Sequence, residues 1–508
     1  MPKRFSGLYA AVCATALAGA LGGAARAESL ADAVTLAYQT NPTLQAARAQ
    51  LRETDEGYVQ ALSGYRPSAS AQAVGSWRWE KIGAAGCTLL AGCADNTPES
   101  NNFSATVGVS QPIYTGGRAT SQVREAEASV LAQREQLRQT EGQVLLQTIA
   151  AYVDVRRDEQ ALEIRRNNVA VLRRQVEESR ASFDVGQLTR TDVAQSEAQL
   201  AQAQSLLSSA QAQLSVSRAN YAAIIGQSPT TLEPEPAFKT FPATIDQAFE
   251  TTDQNNPSIR AADYSEQGAD AAVEAARAGR MPQVSLSGQY GYDQPLHPWD
   301  SNLYTRSVSA GVTVTQPLFS GGATASQVRA AIERRNVYRI QLEQSRRTAT
   351  QNLSNAWNQL LAARASIGAD EEQVRAATVA FEGTRAEQQV GLRTTLEVLN
   401  AQQVLRDADL QLINARHDEY VASASVLNIM GLLMARNLVP GVDEDPGGHS
   451  FQTLSHAPGY VPGLQEATQA LDSIGSKQIH RAAPPVDAPI TTSPAAEAPA
   501  QAAPSAQP

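Results

Sequence analysis

Gln111-Pro112-Ile113-Tyr114-Thr115-Gly116-Gly117 returns 205 residues later as Gln316-Pro317-Leu318-Phe319-Ser320-Gly321-Gly322. The same offset carries Ser121-Gln122-Val123-Arg124 onto Ser326-Gln327-Val328-Arg329, Val185-Gly186 onto Val390-Gly391, and Gly226 onto Gly431. Upstream the offset is 215, carrying Asn41-Pro42-Thr43-Leu44 onto Asn256-Pro257-Ser258-Ile259 and Arg66-Pro67 onto Met281-Pro282. The chain is one unit written twice, over residues 28–226 and 244–431, with a linker at 227–243. The two offsets differ by ten residues, in the stretch of the first copy that holds Cys87 and Cys93. Insertions are tolerated best at exposed loop tips, so this stretch reads as a hairpin tip.

Each copy has the same order. A helix is predicted to open it, roughly over 29–63 and 244–279. A strand pair follows, at about 66–112 and 281–317. Phe103, Ala105, Val107 and Val109 alternate with small polar residues, as do Val308, Ala310, Val312 and Val314. Trp77, Trp79, Phe103, Tyr290, Tyr292, Trp299 and Tyr304 gather at one end of the strands. Period-two alternation with aromatics near the ends suits membrane β-barrel strands, although a single such strand would equally suit a soluble sheet. Gln111-Pro112 and Gln316-Pro317 are expected to stop the strands, because proline cannot donate to a ladder. The Gly pairs then let the chain turn into a helix. From Arg118 to about Asp184 and from Ala323 to about Gln389 there is almost no Pro or Gly, which predicts two helices of ~100 Å each at 1.5 Å per residue. Val185-Gly186 and Val390-Gly391 interrupt them, and shorter helices return to Gly226 and Gly431. The opening helix of each copy is left to cover the remaining length. Ala, Leu and Val at three- and four-residue spacing predict close, coiled-coil-like packing.

The rest of the chain narrows the class. Lys3 and Arg4, an apolar run and Ala25-Arg26-Ala27 read as a secretory signal peptide over 1–27. Its removal would leave Cys87 and Cys93 in an oxidising compartment, where a small disulfide loop is the expected state. Beyond residue 27 no window offers ~18 consecutive apolar residues, so the remaining way to span a membrane is a β-barrel. From about 440 to 508 the helical periodicity fades, and seven prolines stand among the 25 residues 484–508; a disordered Pro/Ala-rich tail is expected. The 508 residues carry a net charge of −10, without the basic footprint of a nucleic-acid binder. Aromatics make up only 5% and there are five His and three Cys, poor material for a metal or thiol active site. His297, His417, His449, His456 and His480 fall into no ligand or nucleophile spacing. No enzyme, cofactor or metal is expected.

Four membrane-type strands cannot close a barrel, and an open edge in lipid is forbidden. The chain must therefore oligomerise, giving eight strands as a dimer or twelve as a trimer. The expected fold is an α+β membrane protein whose helices extend the barrel as a periplasmic tube. The duplicated order, the paired Gln-Pro motifs and Val390-Gly391-Leu392-Arg393-Thr394-Thr395-Leu396-Glu397-Val398-Leu399-Asn400-Ala401 resemble the TolC family of outer-membrane channels, over about residues 29–435. The resemblance implies a homotrimer with a twelve-stranded barrel in outer-membrane lipid and an antiparallel coiled-coil tunnel. It implies a passive exit duct for efflux or type I secretion in a Gram-negative cell. The implied partners are a periplasmic adaptor and an inner-membrane pump of ABC or RND type. The absence of a Cys just after the cleavage site matches the TolC type rather than lipid-anchored channels. The alternative is a trimeric coiled-coil surface protein or adhesin, which would not account for the strand pairs.

The resemblance also carries residues over by position. Thr191 and Asp192 match residues that hold the coiled coils closed, and Arg393 matches the arginine that binds them. Gln388 stands where the family's gating tyrosine would be. Glu397 matches the first acid of the entrance constriction, while Asn400 stands where a second acid is expected; a trimer would carry three carboxylates there. A carboxylate ring in a narrow pore attracts cations. Read from spacing alone, Arg393 and Glu397 make an ordinary i,i+4 surface pair. The turns at Val185, Gly186, Val390 and Gly391 are the implied adaptor-docking sites.

Overall fold

The computed structural model describes residues 27–79, 99–238, 241–295, 303–439 and 448–474. The Cys87–Cys93 loop, Trp299, His297, His480 and, apart from Ala27, the expected signal peptide lie outside them. The first copy runs α1 (Leu30–Thr40), α2 (Pro42–Leu62), β1 (Ser68–Trp79), β2 (Glu99–Tyr114), α3 (Arg118–Asp184) and α4 (Arg190–Ile225). The second runs α5 (Ile245–Asn255), α6 (Pro257–Ala278), β3 (Gln283–Pro295), β4 (Thr305–Thr315), α7 (Ala323–Gln389) and α8 (Thr395–Ile429). Short helices α9 (Ala435–Leu438), α10 (Phe451–Ser455) and α11 (Leu464–Asp472) follow.

The opening helix of each copy is two helices rather than the single one expected. The residue before proline is pushed out of the α region. Asn41 accordingly sits at ψ 122° and Asn256 at ψ 121°, and each breaks the helix. Both asparagines then do two jobs. The Asn41 side chain accepts from Thr43 N at 2.9 Å, capping α2, and donates to Ile224 O at 2.9 Å at the end of α4. Asn256 accepts from Ser258 N at 2.9 Å and donates to Ile429 O at 2.7 Å. So α2 stacks end to end on α4, and α6 on α8. The 36 residues of α4 and 21 of α2 together run ~85 Å beside the 67-residue α3, at ~100 Å.

Among the described residues the four strands form one antiparallel sheet in the order β1-β2-β3-β4, with β1 and β4 as its edges. Register sorts the side chains cleanly. Ala71 faces Val107, Val107 faces Tyr290 and Tyr290 faces Val308, all on one face. Ser70 faces Gly108, Gly108 faces Gln289 and Gln289 faces Ser309 on the other. The apolar face is bare, with Trp77 68% and Val308 82% exposed. Tyr292 and Tyr304 stack at 5.8 Å at the aromatic end.

Two further expectations need correction. Pro112 does not end its strand: β2 continues to Tyr114 through a bulge between Pro112 and Tyr114, while β4 does stop at Thr315. A bulge takes up the missing donor. Nor is all of 440–508 a disordered tail, since 448–474 packs on the first copy. His449 N donates to the fully buried Asp55 at 2.7 Å, and Arg66 donates to Gln465 Oε1 at 3.0 Å and to Pro458 O at 3.1 Å. Asp472, also fully buried, accepts from Thr115 N at 2.6 Å, Gly117 N at 3.1 Å and Thr120 N at 3.2 Å. It thereby caps α3, whose N-cap Gly117 has no side chain to do so. These contacts come from isolated polar residues, which carry no periodic signal.

The main core lies where α1, α2, α3 and α4 meet, around Leu44, Leu51, Ile149, Tyr152, Tyr221 and Ile225. A smaller one packs Leu353, Trp357 and Leu360 of α7 against Val426 and Met430.

Candidate functional site at the distal helix turns

Far from the sheet, each long helix reverses in a tight turn. In the first, Gly186 at φ 78° donates to Phe183 O at 2.9 Å, and Gln187 N donates to Ser182 O at 2.9 Å. In the second, Gly391 at φ 80° donates to Gln388 O at 3.0 Å, and Leu392 N donates to Glu387 O at 2.9 Å. Both are Schellman caps, which require the left-handed region that glycine tolerates. The next helix then starts from a capping box. Thr189 N and Oγ1 donate to Asp192 at 2.9 and 2.7 Å, and Thr394 N and Oγ1 donate to Glu397 Oε2 at 2.8 and 3.0 Å. Thr-x-x-Asp and Thr-x-x-Glu are legible in the sequence as such boxes. The exposed tips present Val185, Val390 and Leu392, each at least 70% exposed.

The turns differ at several positions, 188 and 393 among them. Arg393 replaces the first copy's Leu188 and lies between two carboxylates. Its Nε donates to Glu387 Oε2 at 2.8 Å and its Nη1 to Glu397 Oε1 at 2.8 Å. Both oxygens of Glu397 are thus engaged. Thr394's backbone N–H, then Arg393 and the Thr394 hydroxyl, lower its pKa to about 2. Asp192 is also lowered, by its bonds from the Thr189 hydroxyl and backbone. Within one chain Arg393 and Asp192 are not joined; each is bound inside its own turn. Gln388 contributes its carbonyl to the Gly391 turn, and Thr191 and Asn400 are exposed. Glu387 was missed by sequence reasoning, because a residue six before its partner lies across a turn rather than along a helix.

Higher up, a polar chain crosses from α8 to α3 and α4. His417 Nδ1 is 2.9 Å from Asp418 and its Nε2 3.0 Å from Asp154. Asp154 pairs with Arg157 at 3.0 Å, Arg157 with Asp158 at 2.9 Å, and Asp158 accepts from Ser217. Burial pushes the His417 pKa down, but Asp154 and Asp418 outweigh it and the net shift is upward from 6.5. Among the described residues no cluster suits a metal ion, and no helix is long and apolar enough to cross a membrane.

An open sheet with one apolar face, continued by helices of ~100 Å, defines the protomer of a channel that spans a membrane as a shared barrel. The chain belongs to the outer membrane efflux protein family, whose model matches residues 33–227 and 249–432. It is 35% identical to the outer membrane efflux protein BepC of Brucella suis, over 82% of this chain and 88% of the relative. It is 27% identical to the outer membrane protein TolC of Vibrio cholerae, over 84% and 95%. It is 24% identical to the alkaline protease secretion protein AprF of Pseudomonas aeruginosa, over 67% and 73%. The Campylobacter jejuni CmeC outer membrane channel shares the fold at TM-score 0.69 and 16% identity, over 80% and 86%. Channels of this family are trimers that work with adaptor and inner-membrane pump proteins. The chain is therefore an outer-membrane channel of an efflux or secretion system, a conduit and not an enzyme, and the adhesin alternative falls away.

Proposed function

We propose that three copies of the chain form an exit duct whose periplasmic entrance is the ring of Val185-Gly186 and Val390-Gly391 turns. The observation that carries this is Arg393, held by Glu387 and Glu397 on an exposed turn where one such pairing would suffice as a surface ion pair. In a trimer the three Arg393 side chains neutralise the three Glu397 carboxylates and pin the second turn in its closed position. Asp192 and Thr191 on the facing first turn, with Gln388 behind, are the residues against which it rests. When a periplasmic adaptor packs on the bare Val185, Val390 and Leu392, Arg393 is displaced. Three Glu397 carboxylates then line the opening beside Asn400 and favour cations. The pump, of ABC or RND type, sets the cargo. The Cys87–Cys93 disulfide, outside the described residues, belongs to the same proposal as a cross-link of the extracellular hairpin tip.

Planar-bilayer conductance of the purified protein tests this. Arg393→Ser is expected to raise conductance, and Glu397→Ala to weaken cation selectivity. Wild-type conductance in Arg393→Ser with unchanged selectivity in Glu397→Ala would place the gate and filter elsewhere.

A further inference from the structure

The two long helical hairpins are each tied together by charge, and only lightly tied to each other. In the first, Arg180 pairs with Glu197 at 2.6 Å and Arg218 with Glu159 at 2.8 Å, joining α3 to α4. In the second, Arg416 pairs with Glu371 at 3.0 Å and Arg364 with Glu419 at 3.2 Å, joining α8 to α7. Between the hairpins, α8 lies along α3. Near the tips that seam is neutral. Gln402 donates to Asn168 Oδ1 at 2.9 Å, and Leu399 packs with Val169, Leu172 and Ala203. Some 18 residues further along α8, or ~27 Å, stands the one ionic contact across the seam among the described residues: His417 Nε2 lies 3.0 Å from Asp154.

We infer that His417 is a proton-operated clasp between the two helical hairpins of one chain. Charged, it holds α8 onto α3; neutral, it lets the α7–α8 hairpin part from the α3–α4 hairpin. This rests on the reading of the distal turns as the entrance, and it names the proton as what regulates them. The imidazole supplies the chemistry. With both nitrogens protonated it faces Asp418 through Nδ1, at 2.9 Å, and Asp154 through Nε2. A neutral imidazole keeps a single N–H, so one of the two carboxylates then meets a nitrogen lone pair. The seam is left with its neutral contacts near the tips.

The charged groups facing His417 are few. From α3 come Asp154 and Arg157, which pair at 3.0 Å, and behind them Asp158, which takes Arg157 at 2.9 Å and the Ser217 hydroxyl of α4. From α8 comes Asp418, while Arg416 and Glu419 turn away to α7. Burial opposes the charged imidazole, but Asp154 and Asp418 outweigh it, and the pKa is raised from 6.5. Burial opposes charge on Asp154 too, and the contacts with His417 and Arg157 still leave its pKa lowered. The clasp therefore holds in full below 6.5 and releases as pH rises through the folded value of His417. The 205-residue offset relates Asp154, Arg157 and His417 to Gln359, Ala362 and Ala212, so the duplication supplies no second clasp.

Two measurements on the full-length protein, each at about pH 6 and about pH 8.5, test the clasp. The first is the distance between spin labels at Val185→Cys and Val390→Cys, with Cys87 and Cys93 replaced by serine and labelled chains diluted in unlabelled ones. It should lengthen at the higher pH. The second is open probability in planar bilayers, which should rise roughly fivefold at the higher pH. His417→Gln and Asp154→Asn should each abolish both responses. Tips that keep their distance overturn the clasp, and so does a response that survives either substitution, since it then belongs to another group. Tips that part without any change in open probability leave the clasp standing and overturn instead the reading of the turns as the entrance.

Discussion

The Gly116-Gly117 and Gly321-Gly322 turns have nearly the same sequence and opposite surroundings. The first is enclosed: Asp472 fills it from α11, Met281 closes over Gly116, and Thr115 and Thr120 are buried. The second is bare, with the Ser320 hydroxyl bonded to its local neighbour Thr324 and with Leu318 and Phe319 in the open. The long helices repeat the contrast. Among the described residues α3 is flanked by α1, α2, α4, α6 and α8, whereas α7 has α5, α6 and α8. Equal sequences thus produce unequal burial because one chain supplies neighbours for only one copy. The unequal parts mark the surfaces that other chains complete.

Removing Asp472 should break this contrast most strongly. Asp472→Ala leaves the buried amides of Thr115, Gly117 and Thr120 without their acceptor, and about 3 kcal/mol of stability should be lost in denaturant unfolding. Ser320→Ala at the matching turn should cost about 0.5 kcal/mol, since it removes only an exposed local cap. The Asp472 pKa is lowered; burial works against this, and the bonds from Thr115, Gly117 and Thr120 prevail. A depressed carboxylate stabilises above its unfolded value of 3.8, and its contribution fades as pH falls below that value. The difference between the two alanine variants should therefore shrink in acid.

Asn41 and Asn256 should show the copies behaving alike. Each caps one helix and holds the end of another within its own copy, so Asn41→Ala and Asn256→Ala should each cost about 2 kcal/mol. A large inequality in unfolding would mean that the end-to-end stacking matters in only one copy.

These residues also show what sequence can and cannot tell. The extents of α3 and α7 were legible, because a run with almost no Pro or Gly between two Gly-containing turns has one regular solution. The strand faces were legible for the same periodic reason. The break at Asn41-Pro42 was available from the restriction on residues before proline but was overridden by helical periodicity on both sides. Asp472, 357 positions from Thr115, was not legible, because nothing local marks its partner. At the tips the capping boxes follow a known spacing, whereas Arg393 and Glu387 meet only because the Schellman turn folds one over the other.

The seam between α3 and α8 offers a comparison by pH. His417 and Asp154 face each other there, while their counterparts in the other copy are Ala212 and Gln359, which do not titrate. Facing His417 are Asp154 and Arg157 from α3 and Asp418 from its own helix; the flanking Arg416 and Glu419 turn to Glu371 and Arg364 of α7. A raised histidine stabilises in full below its unfolded value of 6.5, and the gain is lost as pH rises through its folded value. Melting temperature should fall across that window and the fall should vanish in His417→Gln. A slope that survives the substitution would assign it to another group.

The smallest effect on stability, though not on transport, is expected where the tips differ. Arg393→Leu makes the second turn resemble the first, with its leucine at position 188. The capping box stays intact, since Thr394 still bonds one oxygen of Glu397, so melting should not change measurably. What changes is charge: Glu397 loses one cause of its low pKa and keeps the backbone bond from Thr394 that is the larger one. Its pKa should therefore rise from about 2 yet stay below the ordinary 4.5. A depressed carboxylate is lost only as pH falls through its folded value, so the wild-type Arg393–Glu397 pair stays intact throughout the neutral range. Single-channel conductance of wild type should then be flat between neutral pH and 4.5, with Arg393→Leu higher at every pH. A wild-type conductance that steps up near 4.5 would show Glu397 titrating as an unpaired acid, and would remove Arg393 as its closed-state partner.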